Sequence, residues 1–251
     1  VYDFTMNAPG RTITRSANSD SWIIGSNLHI EAGTVSFGNA YSFAAVDCDV
    51  LIGVNGTLAL SSNAEGGLIV RRHLLPSGTF VTNGRRVRFE GGRNQTIGGS
   101  PAFDELMISK TGGMVTLVQD ARVNGTLTLA AGKIQLANNN SLTIGAHGNI
   151  TGAHAGAYIV TLGTGVLKRD SVGNTPITFP VGTETSYNPV TISNNGAPDE
   201  FRVNVKPEFD APPSDPSRVV NRQWNIAEAV PGGSNATISL QWNSGDQGAQ
   251  F

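Results

Sequence analysis

The chain has 251 residues, only 14% of them charged, with a formal net charge of −2 and 31 glycines. So weak a charge offers no basic face to nucleic acid, and a single cysteine, Cys48, excludes an internal disulfide. There is no apolar run of the roughly 18 residues that would suggest membrane insertion, and no signal-peptide pattern opens the chain.

From the N-terminus, glycines fall on a ruler: Gly10, Gly33, Gly56, Gly78, Gly125 and Gly148 are spaced by 23, 23, 22, 47 and 23 residues. Most are followed by Thr and an apolar residue, as in Gly33-Thr34-Val35, Gly56-Thr57-Leu58, Gly78-Thr79-Phe80 and Gly125-Thr126-Leu127. The segment Val54–Leu60 (VNGTLAL) nearly repeats as Val123–Leu129 (VNGTLTL). A fixed period in this range marks units that bury their apolar faces only against their neighbours. Between glycines, apolar and polar residues alternate (Leu28 and Ile30, Val50 and Ile52, Val87 and Phe89, Ile134 and Leu136), the period of a strand. Residues 1–157 therefore read as an all-β parallel β-helix of about 23 residues per turn. The glycines mark a corner that needs positive φ or close backbone approach. Val35, Leu58, Phe80, Leu127 and Ile150 are expected to stack as one internal ladder. The missing glycine mark, near residue 101, falls in Gly98–Phe103, where an irregular corner is expected.

Composition changes at about residue 157: nine of the twelve prolines lie from Pro176 onward. Strands are expected at 158–162, 166–169, 177–181, 189–192, 201–206, 219–226 and 237–242. Short strands at this spacing read as an antiparallel β-sandwich over 158–251 that caps the last turn of the coil. Since the chain begins at Val1 without Met and stops at Phe251, it is read as a piece of a longer protein.

Several segments together resemble a known family: Gln95–Ile97, Leu106–Gly113 (LMISKTGG), Val123–Leu129, Tyr158–Thr161, Gly163–Arg169 (GTGVLKR), Phe179–Thr183 (FPVGT), Tyr187–Val190 and Trp224–Ile226. They are similar to the large secreted, adhesin-like surface proteins of Bacteroidota, in which β-helical repeats lead into β-sandwich modules and a C-terminal sorting domain directs type IX export. The resemblance implies an extracellular or cell-surface location and neighbouring modules of a larger protein, and it carries over no catalytic residue. The family's sorting domain is not in this sequence. Asp170-Ser171-Val172 looks like the family's O-glycosylation acceptor.

Candidate chemistry is sparse, and neither a catalytic centre, a metal site nor a cofactor is expected. Asp47 and Asp49, placed on one face of a strand around a buried Cys48 thiol with Arg72 one period on, could serve a lyase or hydrolase of the β-helix type. They read better as halves of inter-turn ion pairs. Thr34/Ser36, Thr57/Ala59, Thr79/Val81, Thr126/Thr128 and Asn149/Thr151 raise an ice-binding alternative, which needs a regular Thr array on one face. Arg71, Arg72, Arg85, Arg86, Arg88 and Arg93 are six of thirteen arginines within about one period. Of these, Arg71, Arg72, Arg86, Arg88 and Arg93 are the candidate ligand contacts, because guanidinium groups pair with carboxylate or sulfate in a bidentate fork. The expected function is a non-enzymatic structural or adhesive module that meets a surface or an acidic polysaccharide.

Overall fold

A computed structural model describes residues 3–15 and 21–251. The chain is all-β, with 57% strand and 2% helix, and winds into a parallel solenoid of about 8 turns. The first strands are β1 (Phe4–Thr14), β2 (Trp22–Ile24), β3 (Leu28–Ser36), β4 (Phe43–Val46), β5 (Val50–Ala59), β6 (Gly67–Val70), β7 (Leu74–Pro76) and β8 (Thr79–Val81). Next come β9 (Arg86–Gly91), β10 (Gln95–Ile97), β11 (Ala102–Leu117), β12 (Ala121–Leu136), β13 (Ser141–Ile144), β14 (Asn149–Thr151), β15 (Ile159–Thr161) and β16 (Val166–Val172). The last are β17 (Ile177–Phe179), β18 (Val181–Gly182), β19 (Val190–Asn194), β20 (Asp199–Lys206), β21 (Gln223–Glu228) and β22 (Ala236–Leu240).

The coil has three parallel ladders. The first runs Phe4, Leu28, Val50, Leu74, Ile97, Leu117, Leu136, Thr161. The second runs Ile13, Val35, Leu58, Phe80 and resumes as Phe103, Val123, Ile144, Arg169, the two parts joined by an edge-on contact of the Phe80 and Phe103 rings at 6.3 Å. The third carries two inward rows, Ile24–Val46–Val70–Phe89–Ile108–Leu129 and Ala44–Leu68–Val87–Leu106–Leu127–Ile150. Nearly every inward member is fully buried, and each such Leu, Ile, Val or Phe contributes about 1.5–3 kcal/mol of apolar burial. At the N-terminal end the Trp22 ring meets Phe4 at 5.3 Å and Phe37 at 5.7 Å, both edge-on, and plugs the core.

The expected single ladder is in fact two. Val35, Leu58 and Phe80 stack on the second face, whereas Leu127 and Ile150 stack on the third. The rungs shorten in mid-coil. Leu28 to Val50 and Val50 to Leu74 span 22 and 24 residues, but Ile97 to Leu117 and Leu117 to Leu136 span 20 and 19. Across those short turns the glycine motif slides onto the neighbouring face. Both expected glycine roles occur: Gly33 has φ +89°, and a Cβ on Gly78 would collide with the carbonyl oxygens of Gly53 and Gly56. The irregular corner is present too, with Gly99 and Ser100 consecutively at φ +69° and +52°.

Parallel pairing runs beyond residue 157, because Ile159 pairs with Val181 and Leu142 with Leu167. β20 then lies antiparallel on β16 (Leu167 opposite Val203, Arg169 opposite Phe201), covering the edge where the next rung of the second ladder would sit, and β21 adds to β20. β17, β19 and β22 form a separate antiparallel sheet. The Trp224 ring of β21 meets the Trp242 ring, two residues past the end of β22, at 6.5 Å.

Candidate functional site

β9 builds the centre of the arginine cluster. Its alternation sends Val87 and Phe89 into the core at 0% exposure and leaves Arg86 and Arg88 outside. Arg71 and Arg72 follow β6 at a corner, Arg85 precedes β9 behind the Asn83-Gly84 turn, and Arg93 follows it. The six guanidinium groups thus occupy one side of two adjacent rungs, since β6 pairs with β9.

Four of them are paired with carboxylates. Glu90 bridges Arg71, whose Nε donates at 3.0 Å, and Arg88, whose Nη2 lies at 2.8 Å. Arg71 also pairs with Asp47, Arg86 Nη2 lies 3.0 Å from Glu105, and Arg72 Nε stands 3.7 Å from Asp49. The Asp47 hydrogen bond, reinforced by Glu90, holds the Arg71 guanidinium above its ordinary pKa against the opposing effect of burial. The Arg88 guanidinium lies 5.9 Å over the Phe43 ring. Arg85 donates to the Asn83 carbonyl at 2.9 Å, and among the described residues neither Arg85 nor Arg93 has a carboxylate partner. Two open recesses flank the cluster: one of about 280 Å³ lined by Asp47, Arg71, Arg72 and Arg93, the other of about 370 Å³ lined by Phe43, Glu65, Arg85, Arg86 and Glu105.

Asp47 and Asp49 do not sit on a strand. They occupy the bend between β4 and β5, where alternation no longer fixes which way side chains point, and Cys48 between them is half-buried instead of buried. Each carboxylate reaches one turn along the coil: Asp47 to Arg71, and Asp49 to Arg72 and the His73 backbone N–H at 3.2 Å. Among the described residues no three His, Cys, Asp or Glu side chains gather to hold a metal ion.

The Thr positions divide between two faces. Thr12, Thr34, Thr57 and Thr79 stand in register on successive rungs of the second ladder, beside Thr14, Ser36, Ala59 and Val81. Thr126/Thr128 and Asn149/Thr151 lie on the third.

Two polar centres carry no sequence signature. Lys110, 4% exposed, donates to the Arg93 carbonyl at 2.6 Å and to Gln95 Oε1, while Gln95 Nε2 donates to the Val70 carbonyl at 2.9 Å. Asp246, also 4% exposed, accepts from Ser186 Oγ, Asn188 Nδ2, the Asn243 backbone N–H and Arg222. Burial pushes the Asp246 carboxyl up, but these hydrogen bonds and the Arg222 charge prevail and hold it below its ordinary pKa. A cavity of about 460 Å³ lies between the last rungs and β20, lined in part by Thr161, Thr183, Glu184, Lys206 and Glu208.

No helix among the described residues is long and apolar enough to cross a membrane. No protein-family model matches the chain, and no curated protein or solved structure matches it.

Proposed function

We propose that the chain is a non-enzymatic structural or adhesive module of a secreted bacterial surface protein, one that holds acidic glycans or surfaces along an extended side of its coil. The carrying observation is the arginine side of β9 and its neighbouring corners. It stands on a rung anchored by Val87 and Phe89, and two of its arginines, Arg85 and Arg93, lack a carboxylate partner among the described residues. Side chains repeated at the strand spacing of ~4.8 Å on a stiff ladder suit a polymer lying along them better than a small molecule in an enclosed pocket. In this reading the coil module runs past the expected boundary at 157 through the parallel rungs β15, β16 and β18, and the antiparallel strands β17 and β19–β22 form a β-sandwich-like module, supported by the contact of Trp224 with Trp242. The Bacteroidota resemblance of residues 90–245 supports export by the type IX route and attachment to further modules.

The test is incubation with sulfated and uronic-acid polymers, reading both retention and product. The proposal expects retention that falls with rising salt and no new chain ends. Unsaturated or shortened products would replace it with a polysaccharide-cleaving function.

A second reading, ice binding, has one observation in its favour: the in-register Thr12–Thr34–Thr57–Thr79 row. Thermal hysteresis in a freezing assay, abolished by Thr57→Lys, would establish it.

A further inference from the structure

Open strand edges are templates for pairing with another chain, and proteins blunt them with proline, charge or bulges. Three edges of this molecule are blunted in that way. β1 contains Pro9 and Arg11 and breaks register with β3 between Met6 and Thr12. β17 is flanked by Pro176 and Pro180. β21 follows Arg222 and ends in Glu228, and its Gln223 is bonded to Asp210.

β22 has none of these protections. Its one partner strand among the described residues is β19, all five of its residues are exposed, and from Gly232 to Gly245 the sequence holds neither a charge nor a proline. Gln241 N–H bonds to the Pro189 carbonyl and Asn195 N–H to the Asn235 carbonyl, so the odd-numbered residues of β22 point their backbone groups at β19. By the alternation of an antiparallel ladder, Ala236, Ile238 and Leu240 point theirs outward. The same even-numbered residues form an apolar row continuous with the buried Val190 and Ile192, yet Ile238 remains 44% and Leu240 38% exposed.

We propose that β22 pairs antiparallel with β22 of a second copy of this chain, across a twofold axis at Ile238, merging the two small sheets into one. The strand is self-complementary about that residue. Ile238 exchanges both backbone hydrogen bonds with its counterpart, Ala236 pairs with Leu240 on the apolar face, and Thr237 faces Ser239 on the polar face. Because the strand is uncharged, nothing repels at the axis, where like residues must meet. A second copy is therefore the occupant that this edge fits, since it supplies the same apolar row in matching register.

Light scattering on the chain at increasing concentration tests the pairing, with two double variants at exposed polar positions that leave the β19 ladder intact. Thr237→Asp with Ser239→Asp sets like charges opposite each other across the axis and is expected to weaken association about tenfold while leaving the melting curve of the monomer unchanged. Thr237→Lys with Ser239→Asp sets opposite charges across it and is expected to restore the dimer. A chain that stays monomeric throughout, or a dimer indifferent to the two aspartates, overturns the proposal. So does a monomer that instead takes up an added uncharged peptide of alternating apolar residues along β22.

Discussion

Lys110, at the end of the third ladder, donates its buried side-chain nitrogen to the side-chain oxygen of Gln95, on the first. No carboxylate joins them among the described residues, and burial pulls the Lys110 pKa down to about 8. With a folded pKa below the unfolded one, the unfolded chain binds more protons between about pH 8 and pH 10, so stability rises with pH across that window. Tyr187, whose pKa burial raises, opposes the trend above its ordinary value of 10.0. Urea melts at pH 7.5 and pH 9.5 should show this gain in the parent chain, and its loss in Lys110→Met.

Asp246 gives the same sign in a lower pH window, because its folded pKa also lies below the unfolded one. Its depressed pKa means that its contribution is present above the ordinary value of 3.8 and is lost as pH falls through the folded value. Asp246→Ala leaves Arg222, 12% exposed at its side chain, as a buried charge without its carboxylate, held among the described residues only by Asn188 Oδ1 and the Asn221 carbonyl. The expected loss is about 3–5 kcal/mol, measured by denaturant unfolding. By contrast, Asp49→Ala with Arg72→Ala removes a long pair whose arginine is 48% exposed, and should cost no more than about 1 kcal/mol.

The split of the ladders makes a coupling prediction. Leu58 contacts Phe80 on the second face while Leu127 lies on the third. Leu58→Ala should cost about 3 kcal/mol, and its effect should be non-additive with Phe80→Ala but additive with Leu127→Ala. Leu58→Asp should prevent the coil from folding, because its charge would enter an interior without partners.

The parallel coil was legible because glycine corners and period-two alternation repeat along the sequence, as in Gly33-Thr34-Val35 and Gly56-Thr57-Leu58. Which face a motif occupies was not legible. Alternation looks the same on all three faces, and only the shortened rungs from Ile97 to Leu136 move Leu127 off the face of Leu58. Asp47 and Asp49 misled because two carboxylates at alternate positions resemble a strand face, yet the chain bends there. Asp246 was invisible since two of its partners, Ser186 and Asn188, lie 60 and 58 residues away in sequence. Lys110 reads as one more polar position in LMISKTGG, and nothing local marks it as buried.

Retention on a sulfated polymer column, compared between Arg85→Ser with Arg93→Ser and Arg86→Ser with Arg88→Ser, tests the proposed glycan-holding side most directly. Arg86 and Arg88 are already engaged by Glu105 and Glu90, whereas among the described residues Arg85 and Arg93 have no carboxylate to leave. The account expects salt-sensitive retention of the parent chain, weakened by both pairs of changes and more strongly by the loss of Arg85 and Arg93. Retention that neither pair alters, or that persists undiminished in high salt, would contradict it.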